Sequence, residues 1–347
     1  MSKFLEQTSP ITQDSDMMKV KIFVAVIFIL MVSVCSVLAA GKSSILPLPI
    51  GSIAPSIALP LVNSTGTSPW RSTDLLGRSA FVYLLVPPQV SPKQASTILP
   101  PYPGAASNKN KENIVTFIVL PYSEQLLYQQ PWPVLIDKKY TLLGQYAPKS
   151  TFVTAVVIDR AGFLRQVYPI KNKQDAQQLI ESVENQFKAS YPPMLQVGKK
   201  APDFIIKDMN GTVRALHQLR GKEHLLLTFF PKCFTFTCGM QLSSLRDSQQ
   251  VLQAKHLQIW GVSVDQATGP RGQKAFADYL HLNFPLLPDP GHQLCLLYGS
   301  VNSPDQMSSR MSVLIDKDGV VRWIDKQIDP RHYGDDVLAK MKELGMK

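Results

Sequence analysis

Residues 22–40 form a run of 19 without a charge, broken in polarity only by Ser33 and Ser36. Wound as a helix, such a run spans ~28 Å, close to the thickness of a bilayer core. Lys3, Lys19 and Lys21 precede it and only Lys42 follows closely. The positive-inside bias therefore predicts a cytoplasmic tail over residues 1–21, a single-pass transmembrane anchor over 22–40, and the rest of the chain on the non-cytoplasmic side, periplasmic in a Gram-negative bacterium. A cleaved signal peptide competes with this reading, since Val37, Leu38 and Ala39 offer a small-residue site. Its n-region would be long, however, and the apolar run exceeds an ordinary h-region. Both readings export the bulk of the chain.

Beyond the anchor the pattern changes to short apolar runs set between polar helices. Residues 225–230 and 259–264 read as buried strands, and 239–254 carries Leu242, Leu245 and Leu252 at helical spacing. Residues 273–280 predict a second helix. Two alternating segments, 311–315 and 320–324, flank Lys317, Asp318 and Gly319, a hairpin signal. A βαβ unit followed by ββα predicts a central mixed sheet with helices on both faces, the thioredoxin-like layout.

The same pattern occurs twice. GSIAPSI at Gly51 returns as GKKAPDF at Gly198, and LLGR at Leu75 as LRGK at Leu219. WPVLID at Trp132 returns as FPLLPD at Phe284, Tyr146 falls on Tyr298 in that register, and VVIDRAG at Val156 matches VLIDKDG at Val313. The offsets of 147, 144, 152 and 157 keep their order and drift only as loop insertions allow. The chain is therefore read as α/β, with two tandem thioredoxin-like domains over 43–190 and 191–347, divided near Pro192 and Pro193.

Composition removes several function classes. Lys and Arg total 36 against 26 Asp and Glu, but no basic stripe with interleaved aromatics forms, so no nucleic-acid partner is expected. Four cysteines, Cys35, Cys233, Cys238 and Cys295, contain no Cys-x-x-Cys pair, too little for a disulfide scaffold. All six histidines follow residue 216 without metal-site spacing, and no glycine-rich phosphate loop or dinucleotide fingerprint is present. No metal or cofactor is expected, and composition assigns no oligomeric state.

One strand end carries the densest chemistry: FFPKCFTFTCGMQLSSLRD, with Pro231, Thr235 and Cys238 spaced Pro-x3-Thr-x2-Cys. A thiol attacks an O–O bond as thiolate, which is scarce at neutral pH unless something favours the anion. Cys238 lies where a strand ends and a helix should begin, with Thr237 a candidate N-cap, so unpaired backbone N–H groups would face the sulfur. Cys295, among Leu294, Leu297 and Tyr298, reads as core. Cys233 makes a Cys-x4-Cys pair with Cys238 and is either a candidate resolving thiol or a spare one.

This stretch resembles the peroxiredoxin active-site signature. Together with VGKKAPDF, Arg246-Asp247, GVSVD, FPLLPD and RMSVLIDKDG it is similar to the AhpC/TSA peroxiredoxins, most of all the bacterioferritin-comigratory or Q-type subgroup, over about residues 197–343. The resemblance implies a thiol peroxidase acting on hydrogen peroxide or organic hydroperoxides through a Cys238 sulfenic acid, with electrons from an external thiol or dithiol. It implies that Arg310 stabilises the thiolate and polarises the peroxide, that Thr235 accepts from the peroxide and donates to the thiolate, and that Pro231 shields the sulfur. Three departures stand out. Cys233 is unusual for the family, Ser243 occupies the place where some Q-type enzymes carry a resolving cysteine, and Phe236-Thr237 replaces Pro-Gly.

In the first copy Pro87 answers Pro231, but Ser91, Gln94 and Val153 stand at the places of Thr235, Cys238 and Arg310. That copy resembles a degenerate thioredoxin-like domain, a spacer or docking module or a plain structural duplicate, with a proline-rich loop over 99–112. Three other readings remain open for the chain: a thiol-disulfide oxidoreductase, a Sco-like copper-binding protein, and a non-catalytic thioredoxin-fold binding module.

Overall fold

The computed structural model describes residues 47–63, 66–99, 114–120, 133–187 and 195–346. The expected tail and anchor, Cys35, all but the first residue of the proline-rich loop, and the Pro192-Pro193 boundary lie outside these. Among the described residues no helix is long and apolar enough to cross a membrane.

Two sheets repeat one topology. In the first half, β1 (Ala58–Asn63), β2 (Gly66–Arg71), β3 (Ala80–Leu85), β4 (Ile114–Leu120), β5 (Val134–Ile136), β6 (Val153–Ile158) and β7 (Leu164–Ile170) run in the order β2-β1-β5-β4-β3-β6-β7. The second half opens with a hairpin, β8 (Ile205–Lys207) and β9 (Val213–Ala215). Its main sheet is built from β10 (His224–Phe229), β11 (Leu257–Ser263), β12 (Leu286–Pro288), β13 (Met311–Ile315) and β14 (Val321–Asp325) in the order β12-β11-β10-β13-β14. β3 is parallel to β4 and antiparallel to β6, as β10 is to β11 and β13. Each terminal hairpin carries its register shift at the same place, Val157/Ile158 and Leu314/Ile315, apart by the 157 residues found in the sequence.

Helices cover both faces. In the second half they are α4 (Phe236–Ala254), α5 (Gln273–Tyr279), α6 (Gln293–Tyr298) and α7 (Tyr333–Glu343), after α1 (Pro92–Ile98), α2 (Thr141–Tyr146) and α3 (Lys173–Phe187) in the first. Alternate residues of β10 point oppositely, as strand geometry requires. Leu225, Leu227 and Phe229 pack with Leu294 and Leu297 of α6. Leu226 packs with Leu242 of α4, Phe276 of α5 and Val337 of α7. In the first half Val82 and Leu84 meet α1 and α3, while Phe81 and Tyr83 meet α2. β12, at three residues, is too short to show a period and has no counterpart in the sequence reading.

One local device recurs in three hairpins. In Asp159-x-x-Gly162-x-x-Arg165, the Asp Oδ1 accepts from the N–H of Ala161 and Phe163, and Oδ2 accepts from Arg165 Nε. Asp316-x-x-Gly319-x-x-Arg322 and Asp208-x-x-Gly211-x-x-Arg214 repeat it bond for bond. All three glycines have φ between 75° and 85°, a region that favours glycine because it has no Cβ.

Residues 47–347 cluster as one compact unit, and the two sheets share a core within it. Leu76, Ala161 and Phe163 of the first half are buried with Phe204, Leu294 and Leu296 of the second. A backbone bridge joins Ser52 to Ile205, and Arg165 donates to the Asp203 carbonyl at 2.9 Å.

Candidate active site

β10 lies in the middle of its sheet, and the chain leaving it turns through Pro231–Thr235 into α4. The turn is tight. Phe234 takes φ 57°, and its ring packs on Phe276 (centroids 5.0 Å apart) and Tyr279 (5.8 Å) of α5. The helix begins at Phe236, three residues earlier than hydrophobic spacing suggested, and its N-cap is Thr235, not Thr237. Thr235 does not cap with its side chain; its exposed hydroxyl donates to the Lys232 carbonyl at 3.0 Å. The N–H groups of the first turn, which have no intrahelical partner, are thus left without a side-chain acceptor at the turn holding Cys238.

The Cys238 sulfur belongs to the core beneath this turn, its residue only 1% exposed. Arg310 reaches it from the other side of β10. Because β13 pairs antiparallel with β10, with Phe229 opposite Met311, the residue just before β13 lies at the same sheet end as the start of α4. Its Nη2 donates to Cys238 Sγ at 3.4 Å. Nη1 donates to Gln241 Oε1, Gln241 Nε2 donates to Thr228 Oγ1 at 2.8 Å, and Ser312 Oγ lies 2.7 Å from the same oxygen. Gln241, Thr228 and Ser312 are fully buried, so this polar chain fixes the half-buried guanidinium within apolar surroundings. Sequence reasoning missed Gln241. Its signal was there: a polar residue one helical turn after Cys238, beside Leu242 on the apolar face.

The other thiols occupy different settings. Cys233 is buried, and its backbone N–H donates to Asp265 Oδ2 at 2.8 Å. Burial, then the Asp265 carboxylate, pushes its thiol well up from the ordinary range. Cys295 is core, as expected, and its N–H donates to Asp289 Oδ2 at 2.8 Å. Burial raises both its own thiol and the Asp289 carboxyl, the latter to about 6. Cys233, Cys238 and Cys295 are all free thiols. Pro231, half-buried, stands at the head of the turn. Among the described residues no three His, Cys, Asp or Glu side chains gather as a metal site.

The first copy shows the same place filled differently. α1 starts 144 residues before α4, with Ser91 as its N-cap, so Gln94 stands where Cys238 stands. Ser91 Oγ accepts from the Gln94 N–H at 3.3 Å and Gln94 Oε1 accepts from the Ser91 N–H at 2.9 Å, a closed capping box. Val153, at the place of Arg310, is fully buried.

Comparison with known proteins bears on the second half. The AhpC/TSA family model matches residues 197–324. The chain is 32% identical over 155 residues to peroxiredoxin Bcp of Escherichia coli (strain K12), covering 43% of this chain and 97% of that protein. It is 33% identical over 132 residues to alkyl hydroperoxide reductase E of Mycobacterium tuberculosis (strain ATCC 25618 / H37Rv), covering 38% of this chain and 84% of that one. Among solved structures, peroxidoxin BcpB from Mycobacterium tuberculosis aligns with a TM-score of 0.40 at 23% identity, over 43% of this chain and 98% of that one.

Proposed function

Since the chain belongs, through its C-terminal half, to the AhpC/TSA family of peroxiredoxins and is a thiol peroxidase, we propose that Cys238 is the sulfur that meets the peroxide. Its thiolate attacks one peroxide oxygen, the O–O bond breaks, and the second oxygen leaves as water or an alcohol once protonated. Cys238 is left as a sulfenic acid. The observation that carries this reading is the Arg310 guanidinium donating at 3.4 Å to a buried sulfur in the first turn of a helix. The guanidinium is in place before substrate arrives.

Arg310 in this scheme also polarises the bound peroxide. Thr235, whose hydroxyl keeps acceptor lone pairs while donating to Lys232, receives the peroxide hydrogen, and Pro231 shields the sulfur from bulk water. Cys233 resolves the sulfenic acid as an intramolecular disulfide, and an external thiol or dithiol restores both thiols. Hydrogen peroxide and small organic hydroperoxides are the substrate class. The run over 22–40 anchors the chain with its catalytic half on the non-cytoplasmic side, and the first half acts as a docking or spacing module.

Intact mass after equimolar peroxide tests the chemistry. Loss of two hydrogens in the wild type, one added oxygen in Cys233→Ser and no change in Cys238→Ser is the expected set. A Cys238→Ser chain that still consumes peroxide at the wild-type rate ends the proposal. Membrane fractionation, with protease access from either side, tests the anchor.

A further inference from the structure

Resolution asks for chemistry that a buried protonated thiol cannot supply alone. Cys233 must attack the Cys238 sulfenic acid as a thiolate, yet it rests in the core with its proton held by burial and by a neighbouring carboxylate. That carboxylate is built into a chain of hydrogen bonds. Gln273 is fully buried and its Nε2 donates to Ser263 Oγ at 2.8 Å and to the carbonyls of Ser263 and Leu287. Ser263 Oγ donates to Asp265 Oδ2 at 2.9 Å, the same oxygen that accepts the Cys233 N–H at 2.8 Å. The Asp265 carboxylate is thereby held against Cys233, which shares one buried cluster with Cys238.

From this arrangement, and resting on the reading of Cys233 as the resolving thiol, we infer that Asp265 is the general base of the resolving step. The Cys233 S–H proton passes to the Asp265 carboxylate as the sulfur attacks Cys238. The S–S bond forms, the S–O bond of the sulfenic acid breaks, and the departing hydroxide takes up the proton as water. One sulfenic acid and one thiol thus become one disulfide and one water, with no other oxidant. Ser263, freed as the carboxylate is protonated, turns its hydroxyl to the developing thiolate. The first hydrogen bond of α4, Gly239 N–H to the Thr235 carbonyl at 2.9 Å, opens so that the two sulfurs can meet.

Asp265→Asn separates this role from a structural one, because the amide keeps an oxygen for the Cys233 N–H and the Ser263 hydroxyl while losing the base. The full chain is mixed with hydrogen peroxide, quenched at intervals, treated with a sulfenic-acid trap such as dimedone, and weighed intact. In Asp265→Asn disulfide formation slows ~100-fold, the scale of a lost general base, and the trapped sulfenic acid accumulates as in Cys233→Ser. A wild-type rate of disulfide formation in Asp265→Asn overturns the assignment while leaving Cys233 as resolver, and equal slowing of both oxidation and resolution overturns it in favour of a loop-shaping role. A Cys233→Ser chain that still loses two hydrogens removes the premise itself, so the two failures are told apart.

Discussion

Replacing Arg310 by Met keeps an unbranched apolar stem and removes one charge and two hydrogen bonds. Its Nη2 stands 3.4 Å from the Cys238 sulfur. A unit charge pair at ~4 Å and an effective dielectric of ~20 interacts by ~4 kcal/mol, which sets a ceiling. The guanidinium spreads its charge over three nitrogens and is half-buried, so solvent screening lowers that figure. A hydrogen bond to a charged group contributes ~1.5–3 kcal/mol, and each ~1.4 kcal/mol is tenfold in rate, so Arg310→Met should slow Cys238 oxidation by ~10–100-fold. Single-turnover stopped-flow under excess peroxide measures it, with intact mass confirming that the product is Cys238-dependent. Arg310→Lys should fall between, since an ammonium keeps the charge but cannot bridge Gln241 and the sulfur with a planar fork. If Arg310→Met reacts within ~2-fold of wild type, less than ~0.5 kcal/mol, the guanidinium contact is idle and the proposed site loses its main support.

Gln241→Met, which leaves the buried Thr228 hydroxyl only its Ser312 contact and takes from Arg310 its Gln241 acceptor, should cost ~1–3 kcal/mol in stability and slow peroxide consumption as well; denaturant titration beside stopped-flow checks both. Asp289 is fully buried, and burial raises its carboxyl from the ordinary 3.8 to about 6. The native state therefore binds a proton that the unfolded state has released between these values, so its contribution is full below pH ~4 and is lost as pH rises through ~6, by up to ~3 kcal/mol. Asp289→Asn should flatten that slope in urea melts run across the window, and an unchanged slope would reject this account. Gly162→Ala places a methyl carbon 2.8 Å from Leu76 Cδ2 and 3.2 Å from Gln293 Cγ at φ +85°, so it should destabilise the junction between the halves by ~1–3 kcal/mol, read as a lower thermal midpoint.

Much of this architecture could be read from spacing alone, because strands and hairpin turns carry local signals. The 144 and 157 offsets in the sequence are the offsets of β3 to β10 and of β6 to β13. Arg310 and Cys238, 72 residues apart, were brought together by family resemblance; nothing local to either residue specifies their pairing. The start of α4 was misjudged because Thr237 and Thr235 are equally good caps by type, and the tight φ at Phe234 decides between them. Gln241 was missed since its partners Thr228 and Arg310 lie far from it in the chain, one on β10 and one just before β13. The shared core of Leu76 and Phe163 with Phe204 was hidden for a similar reason: a buried apolar residue looks alike whether it faces its own sheet or a neighbour's.

The closed box at Ser91 and Gln94 carries a lesson about reviving the silent copy. Grafting a sulfur onto position 94 would break the very clasp that keeps that helix end content, exposing orphan amides with Val153 in place of a cation to share the load. A reactive centre and a self-satisfied helix tip are competing uses of the same few atoms. This chain keeps one of each, and the stable copy cannot be switched on by a single replacement.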